Sequence, residues 1–200
     1  MATTTPPRSA AVERSTNETE IRLKLALDGS GTADLATGVG FLDHMLELFT
    51  RHGHFDLELR ATGDLDTGAH HTTEDVGIVL GKALDEALGD RSRISRYGDA
   101  TVPMDESLAV CAIDISGRPF CAFQAELPPT SIAGFDTELT EEFFRAVAGN
   151  AKLTLHLYVV EGTNAHHMIE AAFKAFARAL RQAVAVDASV QGVPSTKGVL

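Results

Sequence analysis

The sequence lacks tryptophan, has only two cysteines, and carries 17 basic against 28 acidic residues, for a net charge of −11 at pH 7. This excess of negative charge argues against non-specific binding to nucleic acid or to an anionic membrane. Any phosphate group that the protein binds must therefore be held by a few well-placed cations. No apolar run approaches the roughly 20 residues that a membrane-spanning helix needs.

The two cysteines, Cys111 and Cys121, flank the turn sequence SGRP and could face each other across a hairpin. The opening stretch of small residues and prolines has no apolar segment of the kind that a secretory signal requires. Residues 1–13 are therefore predicted to form a disordered leader. Thiols in a chain without such a signal usually stay reduced, so we expect free cysteines and a cytoplasmic protein.

A paired-histidine motif, H-H-x-x-E, occurs twice, in AHHTTEDVG (69–77) and in AHHMIEAAF (165–173). A single copy could be a polar helix start that happens to carry histidines. Two copies with the same spacing need a common cause, and an internal repeat supplies one.

The sequence is duplicated over most of its length. The stretch NETEIRLKLALDGSG (17–31) matches DESLAVCAIDISGRP (105–119), which pairs Glu18 with Glu106. Each half continues with a helical stretch, an alternating strand, the paired-histidine motif and a final helical pattern. The sequence therefore predicts an α+β fold of two tandem β-β-α-β-α repeats, packed as a sandwich with helices between two sheets. The predicted repeats span 14–93 and 94–187, with a C-terminal tail at 188–200, and together form one functional domain.

Helical geometry limits what each motif can hold. Side chains four residues apart share one face of a helix, so His70 and Glu74 can converge, whereas the adjacent His70 and His71 diverge by about 100°. Two copies of the motif suggest paired metal centres that each draw ligands from more than one segment. Imidazole with carboxylate suits Mn, Fe, Co, Ni or Zn, and a carboxylate-bearing site of higher coordination favours Mn.

Further candidate ligands lie outside the motifs. His44, in FLDHML, is the natural addition, and aligning the halves with a two-residue gap places Glu142 opposite it. His156 is better explained as a strand histidine that faces solvent or a neighbour. His52 follows the first helix, where a place near a substrate and simple surface exposure are equally compatible with the sequence.

Several charged residues have both a functional and a structural interpretation. Basic side chains in turns and near the C-terminus suit a single phosphate group, although each alone is also explained as a solvated charge; they are Arg96, Arg118, Lys174 and Lys197. Glu18 and Glu106 begin strands after loops. One of them could be a general base, or both could be edge-strand charges.

A combination of motifs identifies a family resemblance. The segments FLDHML, AHHTTEDVGI, SRYGD, PMDES, DISGRP, HHMIEAAFKAFARALRQAV and PSTKGVL closely resemble the imidazoleglycerol-phosphate dehydratases of histidine biosynthesis, in order from about Glu13 to Leu200. The resemblance implies the fold predicted above, of the ribosomal protein S5 domain 2-like type. It also implies a 24-subunit homo-oligomer with active sites between subunits, each holding two Mn(II) ions.

Carried over position by position, the resemblance implies a set of eight metal ligands. They are His44, His70, His71, Glu74, Glu142, His166, His167 and Glu170. The family has histidine at the position of Glu142, within L-x-E-H-F-F, whereas this chain reads LTEEFF. Glutamate is a competent hard ligand for Mn(II), so we expect binding to be retained with an altered affinity.

The resemblance also implies residues that bind and transform the substrate. Glu18 matches the family's catalytic glutamate, and Glu170 is the second predicted catalytic residue. The predicted substrate-binding residues are Glu18, His44, His52, His70, Arg96, Asp105, Arg118, Lys174, Ser195 and Lys197. Ser195 and Lys197 belong to the C-terminal tail, so the resemblance implies that the tail contacts the substrate.

The implied reaction converts imidazole glycerol phosphate to imidazole acetol phosphate. The leaving hydroxyl lies beside an imidazole ring and no carbonyl acidifies the neighbouring C–H bond, so the ring must drive the elimination, which metals at both ring nitrogens favour. A dinuclear metal hydrolase and a metal-storing assembly are the alternatives. Glu18 and the PSTKG segment favour the dehydratase over storage, because storage needs neither.

Overall fold

The computed structural model describes residues 8–200. Residues 1–7, part of the predicted leader, lie outside the described residues. The first half of the chain forms three strands, a helix, a strand and a helix. These are β1 Ser9–Ser15, β2 Thr19–Ala26, β3 Ala33–Ala36, α1 Gly40–Gly53, β4 Asp56–Gly63 and α2 His70–Leu88, with a 3₁₀ turn at Leu65–Thr67.

The second half repeats this order. Its elements are β5 Tyr97–Met104, β6 Ser107–Asp114, β7 Phe120–Gln124, α3 Leu139–Ala151, β10 Thr154–Glu161 and α4 Ala165–Val184. A short two-stranded hairpin, β8 Ser131–Ile132 and β9 Phe135–Asp136, is inserted between β7 and α3.

Each half builds one four-stranded sheet with the same topology, β1-β2-β4-β3 in the first and β5-β6-β10-β7 in the second. In both sheets the short third strand of the half pairs in parallel with the last one. β2 alternates buried Ile21, Leu23 and Leu25 with exposed side chains, as expected for a sheet with one covered face. The predicted duplicated α+β fold is confirmed.

Each four-stranded sheet contains one strand more than the three of the predicted β-β-α-β-α unit. The additional strands are β1 and β5, which form hairpins with the strands that follow them. β1 begins at Ser9, so the prediction of a disordered leader is wrong for residues 9–13. This strand gives little apolar signal because it buries only Val12, and its order comes from main-chain pairing with β2.

The cysteines do not face each other across a hairpin, because β10 lies between β6 and β7. Cys111 pairs with Leu157 on one side of β10, and Cys121 pairs with Leu155 on the other. Two strand spacings separate the thiols by about 10 Å, beyond the reach of a disulfide. Both cysteines are free, as predicted, and burial raises the pKa of Cys121 to about 11.

The four helices lie between the two sheets. α1 packs on α4, and α2 packs on α3. The close approach of α2 to α3 depends on Gly77 and Gly81, where an added Cβ would lie 2.9 and 2.7 Å from the carbonyl oxygens of Phe143 and Val147. No helix within residues 8–200 is both long and apolar enough to cross a membrane.

An aromatic core joins the two halves. Phe176 of α4 stacks on Phe49 of α1, with ring centroids 5.7 Å apart, and meets Phe144 of α3 at 5.4 Å. All three side chains are fully buried. The interior is therefore shared between the repeats, because neither sheet with its own helices could bury these rings alone.

The outer faces of the two sheets differ in polarity. The first sheet exposes charged side chains, including Arg22, Lys24, Glu58 and Arg60. The second exposes large apolar side chains, and Tyr97, Phe120 and Val160 are each more than half exposed. Tyr97 and Phe120 occupy one cross-strand row, linked through Asp114 and Thr154.

Gly98 of β5 lets the second sheet lie close to α4, because an added Cβ would sit 2.0 Å from the carbonyl oxygen of Ala179. We predict that Gly98→Ala lowers the free energy of unfolding by about 1–3 kcal/mol, since the clash is with helix backbone. Gly149→Ala is the control: nothing lies within 4 Å of its added Cβ. There alanine should stabilise the helix by up to about 1 kcal/mol. Chemical denaturation measures both, and equal stability of the two variants would contradict the packing.

Candidate metal centre and active site

The packing of α1 on α4 brings side chains of the two halves together. Nε2 of His44 lies 3.5 Å from Oε2 of Glu170, and Nε2 of His166 lies 3.2 Å from the same oxygen. These ligand atoms all lie within 4.8 Å of one another, close enough to share one cation. Two imidazoles and a carboxylate form a donor set that suits a divalent transition metal such as Mn(II). Three of the eight predicted metal ligands thus converge within one chain.

Glu170 is the buried member of this cluster, with a side chain only 9% exposed. Its Oε1 accepts a hydrogen bond from Nζ of Lys174 at 2.6 Å, which leaves Oε2 toward the two histidines. Burial raises the pKa of Glu170, but Lys174, His166 and His44 outweigh burial and hold the pKa below its usual range. The carboxylate is therefore ionised at neutral pH.

The glutamate of the first paired-histidine motif is more exposed to solvent than that of the second. Nε2 of His70 lies 3.8 Å from Oε2 of Glu74, whose side chain is 47% exposed. Four residues after Glu74 stands Ile78, where the second motif has Lys174 after Glu170. Glu74 therefore lacks the lysine that fixes its counterpart.

Glu142 occupies in α3 the place that His44 occupies in α1. Each helix is followed by a left-handed residue, His54 or Lys152, and counting back ten residues from it reaches His44 and Glu142. Glu142 and His70 line the same cleft, of 710 Å³. This geometry supports the alignment of Glu142 with His44, and its role as a metal ligand remains a prediction.

The second histidine of each motif is held by a carboxylate. Nδ1 of His71 lies 2.9 Å from Oδ2 of Asp64, and Nδ1 of His167 lies 2.8 Å from Oε2 of Glu106. These hydrogen bonds raise the pKa of each histidine above its usual range. His167 and the backbone N–H of Asn164 hold the pKa of Glu106 well below its usual range.

The other two predicted acidic site residues lie beside the same histidines. Oε2 of Glu18 is 3.9 Å from Nδ1 of His71, and Oδ2 of Asp105 is 3.8 Å from Nε2 of His167. Within residues 8–200 the Glu18 carboxylate accepts no hydrogen bond and is 55% exposed. Glu18 therefore has a free carboxylate beside a candidate metal ligand.

Arg96 anchors the C-terminal tail to the second sheet. Its Nε donates to Asp114 at 2.7 Å, and its Nη1 donates to the carbonyl of Pro194 at 2.9 Å. The guanidinium also lies over the ring of Tyr97, 4.7 Å from the centroid. Arg96 is thus held in place by contacts on several sides, beside the predicted Ser195.

The end of the tail reaches the turn after β6. An added Cβ on Gly117 would lie 2.3 Å from the carbonyl carbon of Leu200. Arg118 directly follows Gly117, and Asp114 at the end of β6 pairs with Tyr97 at the start of β5. Most of the predicted phosphate set therefore gathers at this end of the second sheet: Arg96, Arg118, Ser195 and Lys197.

Lys174 and His52 lie apart from that group, at the packed face of α1 and α4. His52 lies within α1, so the prediction that it follows the first helix is wrong. Lys174 is paired with Glu170, as described above. Burial, followed by the positive charges of Lys174 and Arg178, lowers the pKa of His52. His52 is therefore uncharged at neutral pH and close to the Glu170 cluster.

Sequence reasoning missed one residue of the site and misjudged another. The sequence does not single out Asp64, and it indicates Glu106 only as the repeat of Glu18, with a general base or an edge-strand charge as its alternatives. The sequence feature that could have identified Asp64 is its position directly after β4, because the end of that strand lies beside the first turn of the following helix. No local pattern specifies which histidine it contacts.

The fold and the side-chain clusters define a duplicated α+β protein with histidine–carboxylate centres of metal-ligand composition. Comparison with known proteins identifies its family. The sequence model of imidazoleglycerol-phosphate dehydratase matches residues 37–180. The chain belongs to the imidazoleglycerol-phosphate dehydratase family.

Relatives named imidazoleglycerol-phosphate dehydratase match nearly the whole chain. Those from Geobacter sulfurreducens and Bacillus cereus are 58% and 59% identical over 193 residues, which is 96% of this chain and 99% and 100% of theirs. The crystal structure from Staphylococcus aureus matches with TM-score 0.81 and 46% identity, over 89% of this chain and 99% of that one. That from Pyrococcus furiosus matches with TM-score 0.81 and 38% identity, over 94% and 100%. The family resemblance read from the motifs is confirmed.

Proposed function

We propose that this chain catalyses the dehydration of imidazoleglycerol phosphate to imidazole acetol phosphate, a step of histidine biosynthesis. The observation that carries the proposal is a histidine–carboxylate cluster assembled from both repeats, in a chain of this family. It consists of His44, His166 and Glu170. A free carboxylate, that of Glu18, lies beside the other motif.

We further propose that the enzyme depends on Mn(II), with two ions in each active site. The eight candidate ligands are those predicted above, and the three that converge supply two imidazole nitrogens and one ionised carboxylate oxygen. This donor set fits a divalent transition metal. When bound, Mn(II) would supply Lewis-acid stabilisation of negative charge on the substrate's imidazole ring.

The residues of the chain have separate tasks in the elimination. The C–O bond beside the ring breaks and its oxygen leaves as water, while the neighbouring carbon loses a proton to give an enol that becomes the ketone. Glu18 is suited to take that proton, because its carboxylate is exposed and accepts no hydrogen bond within the described residues. Glu170 is the second predicted catalytic group, held ionised by Lys174.

The phosphate of the substrate would be held away from the reacting carbons. Arg96 and Arg118 lie together at the end of the second sheet, with the tail that carries Ser195 and Lys197. Arginine forks suit phosphate oxygens, and the overall charge of −11 makes such a cationic group distinctive. Binding the phosphate there would orient the ring for reaction, because remote contacts fix the geometry of the reacting atoms.

Ketone formation from imidazoleglycerol phosphate tests the proposal. After treatment with a chelator the protein should be inactive, and added Mn(II) should restore turnover. We predict that Glu18→Gln lowers kcat by about 100-fold or more, the scale of general acid–base catalysis. Glu20→Gln is the matched control, since Glu20 pairs with Arg22 on the outer face of β2. Absence of Mn(II)-dependent turnover in the wild type would contradict the proposal.

Glu142 offers a test of the metal site in the first half. We predict that Glu142→His preserves or raises the affinity for Mn(II), because imidazole is the family's ligand at this position, and that Glu142→Ala lowers it. Glu141→Ala is the control, since Glu141 lines the same cleft but pairs with Arg145. Titration followed by the electron paramagnetic resonance of free Mn(II) measures the affinities. Unchanged affinity in both Glu142 variants would mean that this residue is not a ligand.

We also propose that the chain assembles into a 24-subunit homo-oligomer with active sites between subunits. The apolar outer face of the second sheet supports association, because large exposed side chains such as Tyr97, Phe120 and Val160 are typical of interfaces. The charged outer face of the first sheet is suited to water instead. The two free thiols favour a cytoplasmic location, since oxidising compartments promote disulfides.

The polarity of the two faces makes the assembly testable. We predict that Phe120→Lys reduces the molecular mass measured by light scattering. Association through the apolar face would bury the lysine charge, which is unfavourable. Glu58→Lys, on the outer face of the first sheet, should leave the mass unchanged. A wild-type mass equal to the 21.3 kDa of one chain would contradict the assembly.

A further inference from the structure

We propose that Asp64 and Glu106 are positioning residues, each of which holds one motif histidine so that its Nε2 is presented to a metal ion. The histidines are His71 and His167. The inference rests on the Mn(II) dependence proposed above. It assigns different work to two acidic residues that the duplication would otherwise make equivalent, Glu106 and Glu18.

In the first half the orienting group is Asp64. Nδ1 of His71 lies 2.9 and 3.1 Å from its two carboxylate oxygens. A carboxylate only accepts hydrogen bonds, so in the neutral ring Nδ1 carries the proton and the lone pair lies on Nε2. Thr67 donates its hydroxyl to the same carboxylate at 3.1 Å, which fixes the orientation of Asp64. This is the arrangement by which an outer carboxylate directs a metal-binding imidazole.

In the second half the orienting group is Glu106. Its Oε2 accepts from Nδ1 of His167 at 2.8 Å. Its Oε1 accepts from the backbone N–H of Asn164 at 2.8 Å and of Thr163 at 3.2 Å. Both oxygens are engaged, so Glu106 is tied to the start of α4 and to the histidine that α4 carries.

The loop before each motif explains why Asp64 orients the histidine in the first half and Glu106 orients it in the second. Residues 64–69 join β4 to His70, whereas only residues 162–165 join β10 to His166. The longer loop brings in Asp64, whereas the shorter one contains no carboxylate and instead donates to Glu106 through the backbone N–H groups of Thr163 and Asn164 and the hydroxyl of Thr163. Because Asp64 holds His71, Glu18 stays free at 3.9 Å from that ring.

A purely structural role of Asp64 and Glu106 predicts different effects on thermal stability and on Mn(II) affinity. An ion pair that only stabilises the loop would change thermal stability when removed and leave metal binding intact. A positioning role requires the affinity for Mn(II) to fall, because an unheld imidazole rotates and exchanges tautomers. Loss of such an outer carboxylate typically weakens metal binding about 10- to 100-fold.

The test uses the full-length assembled protein and Mn(II) alone, with free ion followed by electron paramagnetic resonance. We expect Asp64→Ala and Glu106→Ala to bind Mn(II) about 10- to 100-fold more weakly than wild type. Asp64→Asn retains an oxygen that can accept from Nδ1 of His71, and should recover most of the lost affinity. Thermal unfolding of each variant shows whether it is folded. If Asp64→Ala does not fold, the Mn(II) affinity of Asp64→Asn is measured in its place.

Kinetics separate the two roles. Excess Mn(II) should restore much of kcat in Asp64→Ala and Glu106→Ala, but none of the loss in Glu18→Gln. Unchanged Mn(II) affinity in both alanine variants would overturn this inference and leave the proposed function standing. A wild-type protein that binds no Mn(II) would overturn the proposed metal dependence, and the inference with it.

Discussion

The packing of α1 against α4 is the contact on which the rest of the site depends. It carries His44 from the first repeat to Glu170 in the second, and it buries the carboxylate that the two histidines share with Lys174. Burying an ionised carboxylate is unfavourable unless it is paired and hydrogen-bonded. Lys174 meets that requirement on one oxygen, and the other oxygen is left to the histidines.

The two repeats place corresponding residues in different surroundings, and these differences separate their proposed roles. Lys174 fixes Glu170, whereas Ile78 leaves Glu74 exposed in the first half. Glu106 is fully engaged at the start of α4, whereas its counterpart Glu18 has a free carboxylate. The chemistry proposed here needs this asymmetry, because a group that orients a ligand cannot also be free to accept a proton.

The strongly periodic parts of the fold could be predicted from the sequence, because β2, β6 and the four helices each bury one face. β1 could not, since it buries only Val12 and depends on pairing with its neighbour. The sequence allowed Cys111 and Cys121 to face each other across a hairpin, and they do not, because a turn such as SGRP does not reveal that the next strand joins β10 in parallel. The second histidine motif indicated two of the three side chains that converge, His166 and Glu170, but the partnership of Asp64 with His71 depends on a loop conformation with no sequence signature.

We propose that His44, His166 and Glu170, drawn from both repeats, form one metal centre. Anomalous scattering from crystals soaked in Mn(II) locates the ion. We expect a manganese peak within coordination distance of Nε2 of His44, Nε2 of His166 and Oε2 of Glu170. A fully occupied manganese peak elsewhere, with none at these three atoms, would contradict it.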